Sequence, residues 1–92
     1  MKELREKLKK YIVKHPITGE EKVILEVIRG KPYSKEGGIW IEIPLETLSK
    51  HITLVKALGT RDERIEEYKK RGLWKYISRW IREGLITRDD IL

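Results

Sequence analysis

Apolar positions at Leu4, Leu8, Tyr11 and Ile12 fall at i, i+4, i+7 and i+8, which predicts one stripe of a helix over residues 2–14. Pro16 disfavours the helical conformation of His15 and should stop it there. Thr18-Gly19-Glu20-Glu21 then has the form of a capping box, and Val23, Ile24, Val27 and Ile28 form the buried face of a second expected helix. Gly30 supplies its left-handed C-terminal residue, and Pro32 prevents it restarting. Lys31 to Gly38 reads as a loop. Ile39, Ile41 and Ile43 alternate with Trp40 and Glu42, the period-two pattern of a half-buried strand.

Pro44 suits the first turn of a helix that carries Leu45, Leu48, Ile52 and Val55 and ends at Gly59. Thr60-Arg61-Asp62-Glu63 is a second capping box. The apolar residues that follow it, Ile65 and Tyr68, lie off the arc occupied by Leu73, Ile77 and Trp80. The pattern therefore predicts two helices, 61–71 and 73–83, broken at Gly72. Gly84 closes the second, and Leu85-Ile86-Thr87 is the one other candidate strand. A lone strand cannot satisfy its own backbone groups, so 39–43 is expected to pair with 85–87. The expected fold is a single domain over 1–92, mainly α with a short two-stranded β element.

The helix 73–83 separates its faces. Leu73, Trp74, Tyr76, Ile77, Trp80 and Ile81 form one apolar arc, while Lys75, Ser78, Arg79 and Arg82 fall on the other side. Between Tyr68 and Arg82 stand Lys69, Lys70, Arg71, Lys75, Arg79 and Arg82, with no acid among them. A cationic wet face suits an anionic partner, and a nucleic-acid backbone is the commonest. The bland alternative is the solvated face of a basic protein.

The run Gly38-Ile39-Trp40-Ile41-Glu42-Ile43-Pro44-Leu45-Glu46-Thr47-Leu48-Ser49-Lys50-His51-Ile52 resembles the first strand and second helix of winged-helix DNA-binding domains. Ile77-Ser78-Arg79-Trp80-Ile81-Arg82-Glu83-Gly84-Leu85-Ile86 resembles the end of their recognition helix entering the second strand. The resemblance spans residues 18–87, behind an N-terminal helix over 1–14. It implies a winged-helix-like core with a reduced or absent wing, since only Arg88-Asp89-Asp90-Ile91-Leu92 follow Thr87. A second departure is the stretch of some twenty residues between Ile52 and Leu73, where the family has a short turn. On this resemblance Lys75, Ser78, Arg79 and Arg82 occupy the face that enters the major groove. Lys69, Lys70 and Arg71 would contact phosphates. The source implied is a thermophilic archaeon or its virus.

Composition qualifies the charge argument. Asn, Gln and Cys are absent while 39% of residues are charged, the bias of hyperthermophile proteins, so many charges belong to ion-pair networks. The net charge of +6 is the more informative quantity, and residues 1–14 contribute +4 of it, from six positive and two negative side chains. Lys2, Lys7, Lys9, Lys10 and Lys14 read as the solvated side of a terminal helix or as phosphate contacts. The lack of Cys fits a reducing compartment. Neither a signal peptide nor an apolar run of membrane-spanning length is visible, and a cytoplasmic location is expected.

Catalysis finds little footing. His15 and His51 are solitary, and Gly30-Lys31 and Gly37-Gly38 match neither a phosphate loop nor a dinucleotide fingerprint. No enzyme, no cofactor and no metal site is expected. Trp74 and Trp80 belong to the apolar arc and read as core. Trp40 shares a strand face with Glu42, leaving two placements open: beneath the N-terminal helix, or exposed as a protein-interaction anchor, with Tyr33 in the neighbouring loop as a second exposed aromatic. Two functions follow. The first is a small protein that binds double-stranded DNA through its basic C-terminal helix, as a transcriptional regulator or a chromatin- or replication-associated factor. The alternative is a non-catalytic accessory subunit that binds a larger enzyme of replication or transcription, such as a DNA polymerase, through an apolar patch near Trp40.

Overall fold

A computed structural model describes residues 2–28 and 39–92; Tyr33, Gly30 and Pro32, and the loop expected at Lys31 to Gly38, lie outside them. The chain runs α1 (Lys2–Lys7), a 3-10 turn (Lys9–Tyr11), β1 (Ile12–Lys14), β2 (Glu21–Ile28), β3 (Ile39–Pro44), α2 (Leu45–Lys56), α3 (Arg61–Lys70), α4 (Trp74–Arg82) and α5 (Arg88–Ile91). The three strands form one antiparallel sheet in the order β1-β2-β3.

This overturns the expected fold class of a mainly α domain with a short two-stranded β element, because the sheet has three strands. The segment expected as a second helix is β2, and the last turns of the expected N-terminal helix are β1. Val23, Ile24, Val27 and Ile28 are all β-branched, so they suit a pleated strand at least as well as a helix face. Thr18 and Glu21 do not cap a helix. Residues 16–19 instead form the hairpin loop between β1 and β2, closed by His15 N–H donating to Glu20 C=O at 2.8 Å. His15 Nδ1 accepts the N–H groups of Ile17 and Thr18, at 3.2 and 3.1 Å, and so organises that turn. Gly19 takes φ +74° there, a conformation that L side chains rarely adopt.

The partner of 39–43 is consequently β2, not 85–87. Leu85 and Ile86 instead lead into α5, where Thr87 and Asp90 make a reciprocal capping box. The β2·β3 register pairs Val23 with Ile43 and Ile24 with Glu42, then resumes at Glu26 with Ile41, Val27 with Trp40 and Ile28 with Ile39. Leu25 is the extra residue, a β-bulge that bends the strand and leaves its own backbone groups outside the ladder.

The helical half follows its local signals. Thr60 Oγ1 accepts the Glu63 N–H at 3.2 Å, opening α3 at the expected capping box. Both α3 and α4 end in Schellman motifs. Leu73 N–H donates to Tyr68 C=O and Gly72 N–H to Lys69 C=O, and the same pair of bonds recurs from Leu85 to Trp80 and from Gly84 to Ile81. Gly72 and Gly84 hold φ +72° and +80°. The break between two helices at Gly72 is thus a backbone requirement.

The core is one cluster, built from Leu4 and Leu8 of the N-terminal segment, Val23 and Leu25 of β2, and Leu45, Leu48, Ile52 and Val55 of α2. Tyr68, Leu73, Ile77 and Trp80 join it from α3 and α4, and Ile86, Ile91 and Leu92 close it. The C-terminus is bound in place: Tyr68 Oη donates to Ile91 C=O at 2.7 Å, and Lys7 Nζ meets Asp90 at 2.7 Å. Burial pushes the Tyr68 hydroxyl up to about 12, and the Lys7 ammonium holds the Asp90 carboxyl below the usual carboxylate range.

Candidate interaction surfaces

Two surfaces compete for a functional reading: the basic side of α3–α4 and the far end of the β2–β3 hairpin. On the first, a ~100° advance per residue places Lys75, Ser78, Arg79 and Arg82 within roughly 100° of one another on α4, with Arg79 at the margin from which its side chain reaches the sheet. Arg79 is committed there. Its Nη2 donates at 2.6 Å to the carbonyl of Leu25, the bulge residue. The guanidinium carbon lies 5.8 Å from the ring centre of Tyr11 and 6.0 Å from that of Tyr76, so the cation sits between two aromatic rings. Tyr11 Oη in turn donates to the Glu83 carboxylate at 2.9 Å, and that bond first, then burial, raises the Tyr11 pKa. Arg79 therefore locks α4 onto β2 and is not presented to an external base edge.

The other expected contacts divide. Lys75 Nζ lies 3.5 Å from Glu26 but remains largely exposed. Ser78 Oγ donates to the carbonyl of Lys75 at 3.2 Å, a bond within its own helix. Lys69 pairs with Glu66 at 3.2 Å and Arg71 with Glu67 at 3.0 Å, while an Arg71 guanidinium nitrogen also lies 2.7 Å from His51 Nδ1. Lys70 and Arg82 are exposed and have no ion-pair partner among the described residues. The seven basic-face residues are thus not one set of free side chains. The absence of acids between Tyr68 and Arg82 concealed neutralisation from elsewhere: from Glu66 and Glu67 on the preceding turns, and from Glu26 across the sheet.

The hairpin has the opposite character. Beyond the bulge its strands leave the shelter of the helices, and Val27, Ile39, Trp40 and Ile41 are 50%, 61%, 48% and 38% exposed. Cross-strand partners share a face, so Val27 and Trp40 lie together on one side and Ile28 with Ile39 on the other. Trp40 is not covered by the N-terminal helix. Its indole N–H donates to the carboxylate of Glu42, which also accepts Lys22 Nζ at 2.9 Å. The Lys22 ammonium first, and then the Trp40 N–H, hold Glu42 below the ordinary carboxylate range. The indole is thus oriented while much of its apolar surface stays in water. Sequence reasoning missed Val27, Ile39 and Ile41 as parts of this surface because it assigned the first to a helix face and the other two to the core.

Comparison with family models, with curated proteins and with solved structures finds no match for the chain. Among the described residues no helix is long and apolar enough to cross a membrane, and no three His, Cys, Asp or Glu side chains gather in a way that would hold a metal ion.

Proposed function

We propose that this chain is a non-catalytic accessory subunit that docks on a larger protein through the projecting β2–β3 hairpin, with Trp40 as its anchor. The observation that carries this reading is the exposure of Trp40 beside Val27 on one face at the end of the sheet, with the indole already oriented by Glu42, while Ile39 and Ile41 are exposed on the opposite face. Contiguous exposed apolar surface marks interaction sites, and an aromatic anchor ringed by polar groups supplies the largest share of binding energy in such interfaces. The net charge of +6 supports a partner that itself works on nucleic acid, such as a replication or transcription enzyme, with the basic side chains touching the backbone inside the complex. Affinity capture from lysate of the source organism, with and without nuclease, tests this. The expected result is a protein partner that survives nuclease and is lost with Trp40→Ala, while the melting temperature of the variant changes little. Retention of that partner by Trp40→Ala would sink the reading.

Direct binding of duplex DNA is the second reading, favoured by the exposed Lys75 and Arg82 two helical turns apart on α4. It is narrower than the sequence pattern suggests, because Arg79 is occupied. Each phosphate contact contributes roughly −0.9 to the slope of log affinity against log salt. Replacing Lys75 and Arg82 together by Ala should therefore flatten the slope by up to about two units. Absence of any duplex binding at low salt by the wild type would exclude it.

A further inference from the structure

Both margins of the β2–β3 hairpin are open to an added strand over part of their length, but only one is guarded. β1 pairs with β2 only at residues 21–23, so among the described residues the margin of β2 from Ile24 onward has no strand beside it. There the Arg79 guanidinium occupies the Leu25 carbonyl, and a charged side chain set against a sheet edge is one of the ways proteins keep a further strand from pairing. The outer margin of β3 has no strand neighbour among the described residues and carries no Lys or Arg. Its single charge, Glu42, is already paired with Lys22, and the bulge lies in β2 rather than in β3.

The sequence of that edge is self-complementary. Two copies related by a two-fold axis perpendicular to a sheet pair antiparallel about one residue, because opposed side chains must share a face. Ile41 is the midpoint of Ile39-Trp40-Ile41-Glu42-Ile43. A register centred on it opposes Ile39 with the partner copy's Ile43, Ile41 with its own counterpart, and Trp40 with the partner copy's Glu42. This repeats between chains the indole-to-carboxylate pairing made within one chain. A register centred on Glu42 would instead oppose two carboxylates.

We infer that β3 is a self-association strand, by which two copies of this chain join their sheets into one six-stranded antiparallel sheet about Ile41. The inference rests on reading the hairpin as an interaction surface, and it adds to that reading. In this register the two Trp40 side chains lie on the same face, on diagonal positions roughly 7–8 Å apart. Self-pairing thus uses the β3 edge and assembles the docking face rather than covering it.

The absence of Cys makes the test direct. Sedimentation equilibrium on the wild type should show a mass approaching twice the 11.0 kDa of one chain as concentration rises. Ile41→Cys, the sole thiol in its chain, should form a disulfide-linked dimer under mild oxidation at least tenfold faster than Leu54→Cys on the exposed side of α2. Opposed residues of paired strands lie within disulfide range. A mixture of Trp40→Cys and Glu42→Cys chains should cross-link mainly to each other. Ile41→Lys, which opposes two ammonium groups at the axis, should stay at the mass of one chain with an unchanged circular dichroism spectrum. A wild type that remains monomeric at the highest attainable concentration would overturn the inference. So would a dimer in which Ile41→Cys links no faster than Leu54→Cys. Neither outcome touches the docking proposal: a monomer that still loses its protein partner on Trp40→Ala leaves the hairpin as a site for another protein alone.

Discussion

Trp80→Ala is expected to remove about 3–5 kcal/mol of stability, the largest loss of any single substitution considered for this chain. Trp80 is fully buried on α4 within the single core cluster. Truncation leaves a void where the indole stood, and surrounding side chains collapse only partly into it. Domains of this size hold roughly 5–15 kcal/mol in total, and each kcal/mol moves the melting temperature by about 4–8 °C. A fall of at least roughly 12 °C in a thermal melt followed by circular dichroism is therefore expected. Trp40→Ala, at an exposed strand position, should cost under about 1 kcal/mol. Equal losses for the two tryptophans would contradict the placement of one in the core and the other on the surface.

Arg79→Met should cost about 1–3 kcal/mol, although Arg79 lies on what the helical pattern marks as the wet face of α4. Methionine keeps much of the aliphatic stem but removes the donor to the Leu25 carbonyl and the cation between Tyr11 and Tyr76. A buried acceptor left without a partner carries most of that cost. Part is returned, because Arg79 Nε is itself buried with no hydrogen-bond partner among the described residues. Lys75→Ala and Arg82→Ala should each change stability by less than about 0.5 kcal/mol. Chemical denaturation of the three variants separates these expectations. A neutral Arg79→Met would mean that its bond to the bulge contributes nothing and would return Arg79 to the candidate DNA contacts.

The candidate surfaces were legible in part. Trp40 stood out because its alternation with three isoleucines put it on the face shared with Glu42, and no tertiary information was needed for that. Its neighbours Ile39 and Ile41 were not legible. An isoleucine stripe ordinarily marks the core side of a strand, and only the length by which the hairpin outruns the helices exposes them. On α4 the cationic face was legible as a set of positions but not as a set of free charges. Glu26, which approaches Lys75, and Leu25, which receives Arg79, are about fifty residues away along the chain.

The same division runs through the fold. The break at Gly72, the Schellman ends at Gly72 and Gly84, the Thr60 cap and the start of α2 after Pro44 are properties of the sequence itself. Each depends on backbone angles and hydrogen bonds spanning at most six residues. The identity of β2 is not such a property. Val23, Ile24, Val27 and Ile28 fit the spacing of a helix face, and in the strand the bulge at Leu25 breaks the alternation that would have shown otherwise. Pairing decided it. The strand 39–44 offers a row of backbone donors and acceptors that a helix at 21–28 would leave unmet, and β2 satisfies them while burying Val23 and Leu25 against the helices. Long-range hydrogen bonding and burial act together there, and neither is visible to a local pattern. The turn of Arg79 toward the sheet has the same origin, because the carbonyl it reaches belongs to a distant strand, at an unpaired stretch of its margin.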